Sequence, residues 1–350
     1  TGATERWDGT SWTTSAPLST ARIDLNSGGT NTDAVAFGGA APPSSRLTAT
    51  EEYSFSVNTI TAAAWASSNN MNTGSYNPSG LVGGTQTAVI AAGGDTGGPA
   101  YSTTKSEQYD GSSWTSTPTL NTARAAAVGT GTSTASIVFG AYPPSNAPAT
   151  ESWNGSSWTT TPATVGAPME RAGGSGTQTA ALAFAYYNRP ANTNPTTVYS
   201  YNGSAWTTSP SSMNTGRYGG SGLGTQTAAL AMGGVIVSSG QSAAVEQWDG
   251  SSWTTKTSVS SARGYAGASG ISTSAIFFGG NPGSPTTATE GWDGTSWYSR
   301  PSLATARGGI GSSGTSADAG IGYGGGSYLA ATEEFTGETS AANIANFETS

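Results

Sequence analysis

The stretch Trp248-Asp249-Gly250-Ser251-Ser252-Trp253 recurs from one end of the chain to the other. Its copies are Trp7-Asp8-Gly9-Thr10-Ser11-Trp12, Tyr109-Asp110-Gly111-Ser112-Ser113-Trp114, Trp153-Asn154-Gly155-Ser156-Ser157-Trp158, Tyr201-Asn202-Gly203-Ser204-Ala205-Trp206 and Trp292-Asp293-Gly294-Thr295-Ser296-Trp297. A looser copy runs from Tyr53 to Trp65. Asp-Gly or Asn-Gly between aromatic and Ser/Thr-rich flanks signals a β-hairpin with a two-residue type I′ turn. Such a turn predicts Trp248 opposite Ser251 and Glu246 opposite Trp253, with Glu246, Trp248 and Trp253 on one sheet face. The second Trp of each copy falls at 12, 65, 114, 158, 206, 253 and 297, in steps of 44 to 53 residues. A period of this size marks a repeat array.

Between copies the same features return in order. An Arg opens each unit: Arg22, Arg124, Arg171, Arg217, Arg263 and Arg307, with Thr73-Gly74-Ser75 in its place in the second unit. Small residues follow, then a turn such as Gly176-Thr177-Gln178-Thr179, then an apolar run such as Ala228 to Met232 that ends in Gly-Gly. A variable loop leads to a Glu (Glu5, Glu51, Glu107, Glu151, Glu246, Glu290, Glu333) and the hairpin. Each unit reads as four short strands, and no stretch has helical periodicity.

The Gly-Gly ends (38–39, 93–94, 233–234, 279–280, 324–325), the third-strand aromatic and the fourth-strand Trp resemble the kelch repeat over nearly the whole chain. The resemblance implies an all-β, seven-bladed β-propeller of four-stranded blades, one domain over residues 1–350. The expected blades span 22–66, 74–115, 124–159, 171–208, 217–254, 263–298 and 307–337. The last is completed by residues 10–14 of the 1–14 hairpin, the favoured closure, or by 343–349. Closure by the termini would cover the final sheet edge. The Glu-x-Trp-Asp-Gly-Ser-Ser-Trp-Thr-Thr string, with Asn-Thr-Ala-Arg and Gly-Thr-Gln-Thr-Ala-Ala-Leu-Ala, also resembles tandem repeats of bacteriophage tail and virion proteins, especially marine ones.

Composition narrows the chemistry. Charged residues are 9% of the 350, net charge is −8, Gly numbers 51, and Lys plus Arg only 12. The periodic aromatics argue against disorder. With no His and no Cys, thiolate, disulfide and imidazole chemistry are excluded. That rules out the copper oxidase activity found among kelch-like propellers, and no cofactor is expected. No basic cluster points to nucleic acid, and no apolar run is long enough to insert as a membrane helix. The chain opens at Thr1 without a secretion signal, and reads as a processed product or a piece of a longer protein. Asp-Gly-x-Ser-Trp differs from the sialidase Asp box, which has a residue between Asp and Gly.

Alternating strands place the 1–2 and 3–4 turns on one face and the variable 2–3 and 4–1 loops on the other. Binding on rigid scaffolds resides in such loops. Candidate ligand-binding residues are Tyr101, Tyr142, Tyr186, Tyr187 and Arg189. The six arginines are expected to ring the channel mouth on that face. There they would either hold an anion or, the favoured reading, staple the fold by pairing with the repeated Glu as surface ion pairs of about 0–1 kcal/mol each. The repeated Trp and Tyr are expected to pack between blades rather than stack on sugars. The acids are mostly the repeat Glu and turn Asp; among the rest, which include Asp95 and Glu170, no catalytic pair stands out. The expected function is a non-enzymatic virion component, tail- or fibre-associated and extracellular, contacting neighbouring subunits or a host surface glycan. The alternative is a secreted bacterial carbohydrate-binding or carbohydrate-active propeller; an intracellular adaptor has nothing beyond the fold to favour it.

Overall fold

The computed structural model describes residues 2–7, 9–30, 33–43, 45–54, 59–76, 81–82, 84–98, 101–142, 149–341 and 347–349. Asp8, the 143–148 part of the 141–149 loop and residues 343–346 of the proposed closing segment lie outside them. Among the described residues the regular structure is all strand, and the strands pair antiparallel except for Leu81–Val82, which runs parallel to Val128–Gly131. Where one array was expected, the chain divides into two compact units: Thr1–Ala62 with Glu338–Ser350, and Ala63–Gly337.

In the first unit, Thr4–Trp7 pairs with Trp12–Ser15 as a hairpin. A four-stranded sheet runs in the order Asn26–Gly29, Asp33–Phe37, Thr50–Ser54, Phe347–Thr349.

The second unit repeats one theme. Gly173–Gly176, Ala181–Phe184, Tyr199–Tyr201 and Trp206–Thr208 make one sheet; Ser221–Gly224, Ala229–Met232, Val245–Trp248 and Trp253–Lys256 the next; Gly267–Ile271, Ser274–Phe278, Thr289–Trp292 and Trp297–Arg300 the third. Val128–Gly131 to Trp158–Thr164 follow the same plan with Leu81–Val82 added at the edge, and Val89–Ala92 to Trp114–Ser116 form a three-stranded version of it. The last sheet, Gly311–Ser316, Ala319–Tyr323 and Thr332–Thr336, takes its fourth strand from Ala64–Ser68. This corrects the expected completion by 10–14 or 343–349, and the expected 22–66 blade with it. Trp65 is paired opposite Phe335, while Tyr53 is paired opposite Phe347.

The first strands are neighbours in sequence order, and Gly311–Ser316 adjoins Leu81–Val82, so the order returns to its start. Small residues are required there. A Cβ on Gly222 would lie 2.5 Å from the Gly174 carbonyl oxygen, and one on Gly267 2.3 Å from the Phe278 ring. Among the described residues the buried side chains form six clusters, each shared by two neighbouring sheets. Phe184 of one sheet meets Trp253 of the next at 5.1 Å, Phe139 meets Trp206 at 4.6 Å, and Phe278 meets Trp65 at 4.7 Å. Burial of such rings is the main apolar stabilisation available.

Polar groups stitch the same seams. The Gln of Gly-Thr-Gln-Thr reaches into the preceding sheet: the Gln178 side-chain amide donates to Ser152 Oγ (2.9 Å) and the Trp153 carbonyl, and that of Gln226 to Ser200 Oγ (2.9 Å) and the Tyr201 carbonyl. The fourth-strand Trp does likewise. The indole N–H groups of Trp65, Trp114, Trp158 and Trp206 donate to hydroxyls of Thr289, Thr332, Ser106 and Thr150, at the start of the neighbouring third strand. Trp253 and Trp297 break the rule because their counterparts are the buried Val198 and Val245: the Trp253 indole nitrogen is buried without a partner, and that of Trp297 donates to the Thr257 carbonyl at 2.9 Å.

The hairpin register differs from the two-residue turn. Trp248 lies opposite Trp253 and Glu246 opposite Thr255, which leaves a four-residue loop. The cause is the Asp side chain. Asp249 Oδ1 accepts the backbone N–H groups of Ser251 and Ser252, both at 2.8 Å, and Asn154 and Asn202 do the same in their loops. Only the Gly takes positive φ (96° at Gly250), whereas a type I′ turn needs two such residues. The shift stacks the two aromatics of each hairpin, as Trp248 on Trp253 at 5.5 Å.

Thr332→Val should lower unfolding stability by about 1–3 kcal/mol, because it orphans the buried Trp114 indole. Val198→Thr, which gives Trp253 an acceptor, should cost less; denaturant titration of both variants measures this. In the turns, N–H donation from Ser113 and the Ser112 hydroxyl holds the Asp110 carboxyl down at about 2. Stability from a depressed carboxyl is complete above the unfolded value of about 3.9 and lost as pH falls towards the folded one. Asp110→Asn should therefore melt like the parent at pH 7 and above it at pH 2–3, and Asp110→Ala below it at pH 7.

Candidate functional site

The repeated arginines are not a surface ring. Arg124, Arg217, Arg263 and Arg307 have fully buried side chains paired with Glu151, Glu246, Glu290 and Glu333 of the same sheet; Arg22 with Glu51 does the same in the first unit. Arg124 shows the full arrangement. Its Nε and Nη2 donate to Glu151 Oε1 at 3.1 and 3.0 Å, and Nη1 donates to the carbonyls of Gly140 and Ala149. Each Glu also accepts backbone N–H groups from the segment entering the sheet, as Glu246 does from Asn214 and Thr215. Burial pulls the guanidinium of Arg217 below its ordinary value and Glu246 works against that. The surface-pair estimate is thus corrected. A buried pair that loses one partner costs about 3–5 kcal/mol.

Arg171 is not one of this set. The carbonyls of Arg124, Arg263 and Arg307 each accept an N–H from the end of the preceding sheet's second strand (Gly94, Gly234, Gly280); in the other sheets Met169 and Ser75 occupy that place. Met169 is fully buried and packs with Tyr199, which stands where the other sheets have Glu. One sheet thus replaces the ion pair with an apolar pair, and Arg171 lies two residues further on.

That position forms a belt. Ala126, Arg171, Gly219, Tyr265 and Gly309 all take left-handed φ, between 51° and 67°. The N–H of each of the last four donates to the carbonyl of the one before, at 2.9, 2.6, 2.7 and 2.8 Å. Gly suits such a position; a large side chain there is uncommon. Only Arg171 and Tyr265 bear one among these five. Arg171 Nη1 donates to the Tyr265 hydroxyl at 3.1 Å, with the guanidinium 5.5 Å from the ring centre, and Arg171 Nε is buried without a partner. Burial raises the Tyr265 hydroxyl above its ordinary range despite the opposing pull of Arg171, so no phenolate neutralises the guanidinium near pH 7.

Arg171 borders two cavities. One, about 110 Å³, is lined by the first strands, including Gly174, Gly220, Tyr265 and Ile310. The other, about 250 Å³, is lined by Tyr76, Asp95, Tyr101, Ala125, Ala126, Tyr142, Arg171 and Arg189. Arg189 is positioned by Glu170, which accepts from Nε at 2.6 Å and Nη2 at 2.9 Å. Its guanidinium lies 4.9 Å from the Tyr142 ring and 5.5 Å from the Tyr187 ring, in cation–π range. Tyr218 continues the arc, 5.1 Å from Tyr187 and 6.4 Å from Tyr265.

Of the candidates, Tyr101, Tyr142 and Arg189 line one cavity, and Tyr187 flanks it through Arg189. Tyr186 does not belong: at 2% exposure it packs in the core beside Tyr199, and burial pushes its hydroxyl up. Adjacent residues of an extended segment face opposite sides, so Tyr186 and Tyr187 cannot share a surface. Tyr76, Tyr218 and Tyr265 were missed, and Asp95 was read only as an acid outside the repeat. For the tyrosines the signal available was a bulky residue at an otherwise small first strand. No protein-family model matches the chain, and the curated proteins give no match.

Arg217→Met should destabilise the fold by about 3–5 kcal/mol, because Glu246 is left buried and unpaired. Arg217→Met with Glu246→Tyr, which copies the Met169–Tyr199 pair, should recover more than half of that loss in the same denaturant titration.

Proposed function

We propose that residues 63–337 form a six-bladed, kelch-like β-propeller, one blade fewer than the repeat count suggests, and that the chain is a non-enzymatic binding module. Support for the architecture comes from the cycle of neighbouring first strands and of clusters shared between sheets. In our reading the module belongs to an extracellular particle, a phage tail or fibre, where it contacts a host surface glycan or a neighbouring virion subunit. The phage setting rests on the repeat resemblance alone.

The observation that carries the binding role is the convergence of Tyr76, Tyr101, Tyr142, Arg171 and Arg189 on one cavity. Tyrosine rings offer apolar faces with a polar tip, and guanidiniums supply fixed donors. Among the described residues lining it, Asp95 is the one carboxylate, whereas glycoside hydrolysis ordinarily needs two. Glu170 is held by Arg189.

Labelled whole chain should adsorb saturably to host cells and their extracted polysaccharide. Tyr142→Ala and Arg189→Ala should each weaken adsorption about tenfold, or about 1.4 kcal/mol. Absence of adsorption to every host surface would favour a structural spacer held by its neighbours.

A further inference from the structure

We propose that Arg171 anchors a carboxylate, and that the ligand of the cavity it shares with Arg189 is an acidic, uronate-type saccharide. The inference rests on the binding role proposed above and narrows it to one chemical class.

Four of the second unit's repeat arginines are consumed by buried glutamates, and Arg189 by Glu170. Arg171 has no carboxylate partner among the described residues; its one side-chain acceptor is the neutral Tyr265 hydroxyl at Nη1. Arg171 Nε is buried, as are the unpartnered Nε atoms of Arg217, Arg263 and Arg307, so the atom left for a ligand is Nη2, which has no acceptor among the described residues. A carboxylate oxygen at Nη2 would accept a charge-assisted hydrogen bond. The backbone adds a second argument. Arg171 has φ 51° at a belt position held elsewhere by Ala126, Gly219, Tyr265 and Gly309. A long charged residue in left-handed geometry carries strain that Gly would not, and strain of this kind gathers at ligand sites.

The surroundings suit a sugar acid better than a compact anion. Tyr76, Tyr101 and Tyr142 line the cavity with Asp95, whose Oδ1 accepts the Gly97 N–H at 2.8 Å. At about 250 Å³ the cavity accepts one sugar residue of a longer chain rather than a whole oligosaccharide.

The test is calorimetric titration of the whole chain with a short oligogalacturonate and with the same oligosaccharide reduced at its carboxyls. The acidic form should bind roughly tenfold tighter or more, the size of a charged hydrogen bond, and lose affinity as salt rises. Arg171→Gln and Arg171→Gly should both abolish the preference. Arg171→Gly should keep or raise the melting temperature, which separates lost binding from lost folding. Equal binding of the two saccharides, retention of the preference in both variants, or binding of neither would overturn the inference. So would inorganic phosphate displacing the oligogalacturonate more strongly than acetate does. Host-surface adsorption that persists in any of these cases would leave the broader binding role standing.

Discussion

The outer edge of Thr332–Thr336 cannot be left open. An unpaired strand exposes a row of N–H and C=O groups, and here it would also leave one seam between neighbouring sheets without its aromatic. Ala64–Ser68 answers both needs. It supplies the ladder opposite Thr332–Thr336, and it delivers Trp65 to Phe278 and Thr289 of the neighbouring sheet. Once that strand is in place, the sheet from Val89 follows directly in sequence and packs Trp114 on Tyr323. Gln86 then bonds the carbonyls of Gly320 and Phe335. Joining an early strand to a late sheet is what brings Tyr76 and Asp95, near the start of the unit, to the cavity that Arg171 and Arg189 line from its middle.

Within that frame the repeats are alike where packing demands it and differ where it does not. The buried Arg–Glu pair recurs because the Glu serves several donors at once: the guanidinium and the backbone of the incoming segment. Breaking such a group from one side leaves a charge in the interior; one sheet nevertheless keeps Glu107, with an Asn72 N–H donor, where Ser75 replaces the arginine, and one replaces both residues. Met169 with Tyr199 is the second outcome. It frees a neighbouring position from the pattern, and there, two residues on, the chain carries an arginine whose side chain borders both cavities.

Much of this was legible in the sequence. The spacing of Trp114, Trp158, Trp206, Trp253 and Trp297 gave four-stranded units, and the Glu recurring before each aromatic gave the partner of the arginines. The depth of those pairs was not legible, because a single sequence shows charge and spacing but not which face is covered. Nor was the closing strand. Residues 10–14, 64–68 and 343–349 all offer an aromatic among small or hydroxyl residues, and only packing on Phe278 and Phe335 selects Trp65. The Asp-Gly loops misled by one pairing step, since the carboxylate's capping of two N–H groups competes with the two-residue turn that the dipeptide otherwise favours. Arg171 stands two residues beyond the true repeat position and is the arginine nearest to it, and only the shared cluster of Met169 and Tyr199 reveals that this sheet replaces the ion pair.

The pairing of Ala64–Ser68 with Thr332–Thr336 is the claim on which the cycle of sheets and the cavity both depend. The chain contains no Cys, so an introduced pair reports on one contact alone. Ala64 and Thr336 are direct cross-strand partners, and opposed residues of an antiparallel ladder lie about 4.5–5.5 Å apart, within disulfide range. The account predicts that Ala64→Cys with Thr336→Cys oxidises to an intramolecular disulfide in the native chain, detected by peptide mapping, and that Thr14→Cys with Thr336→Cys does not. A disulfide formed from position 14 and not from position 64 would contradict it.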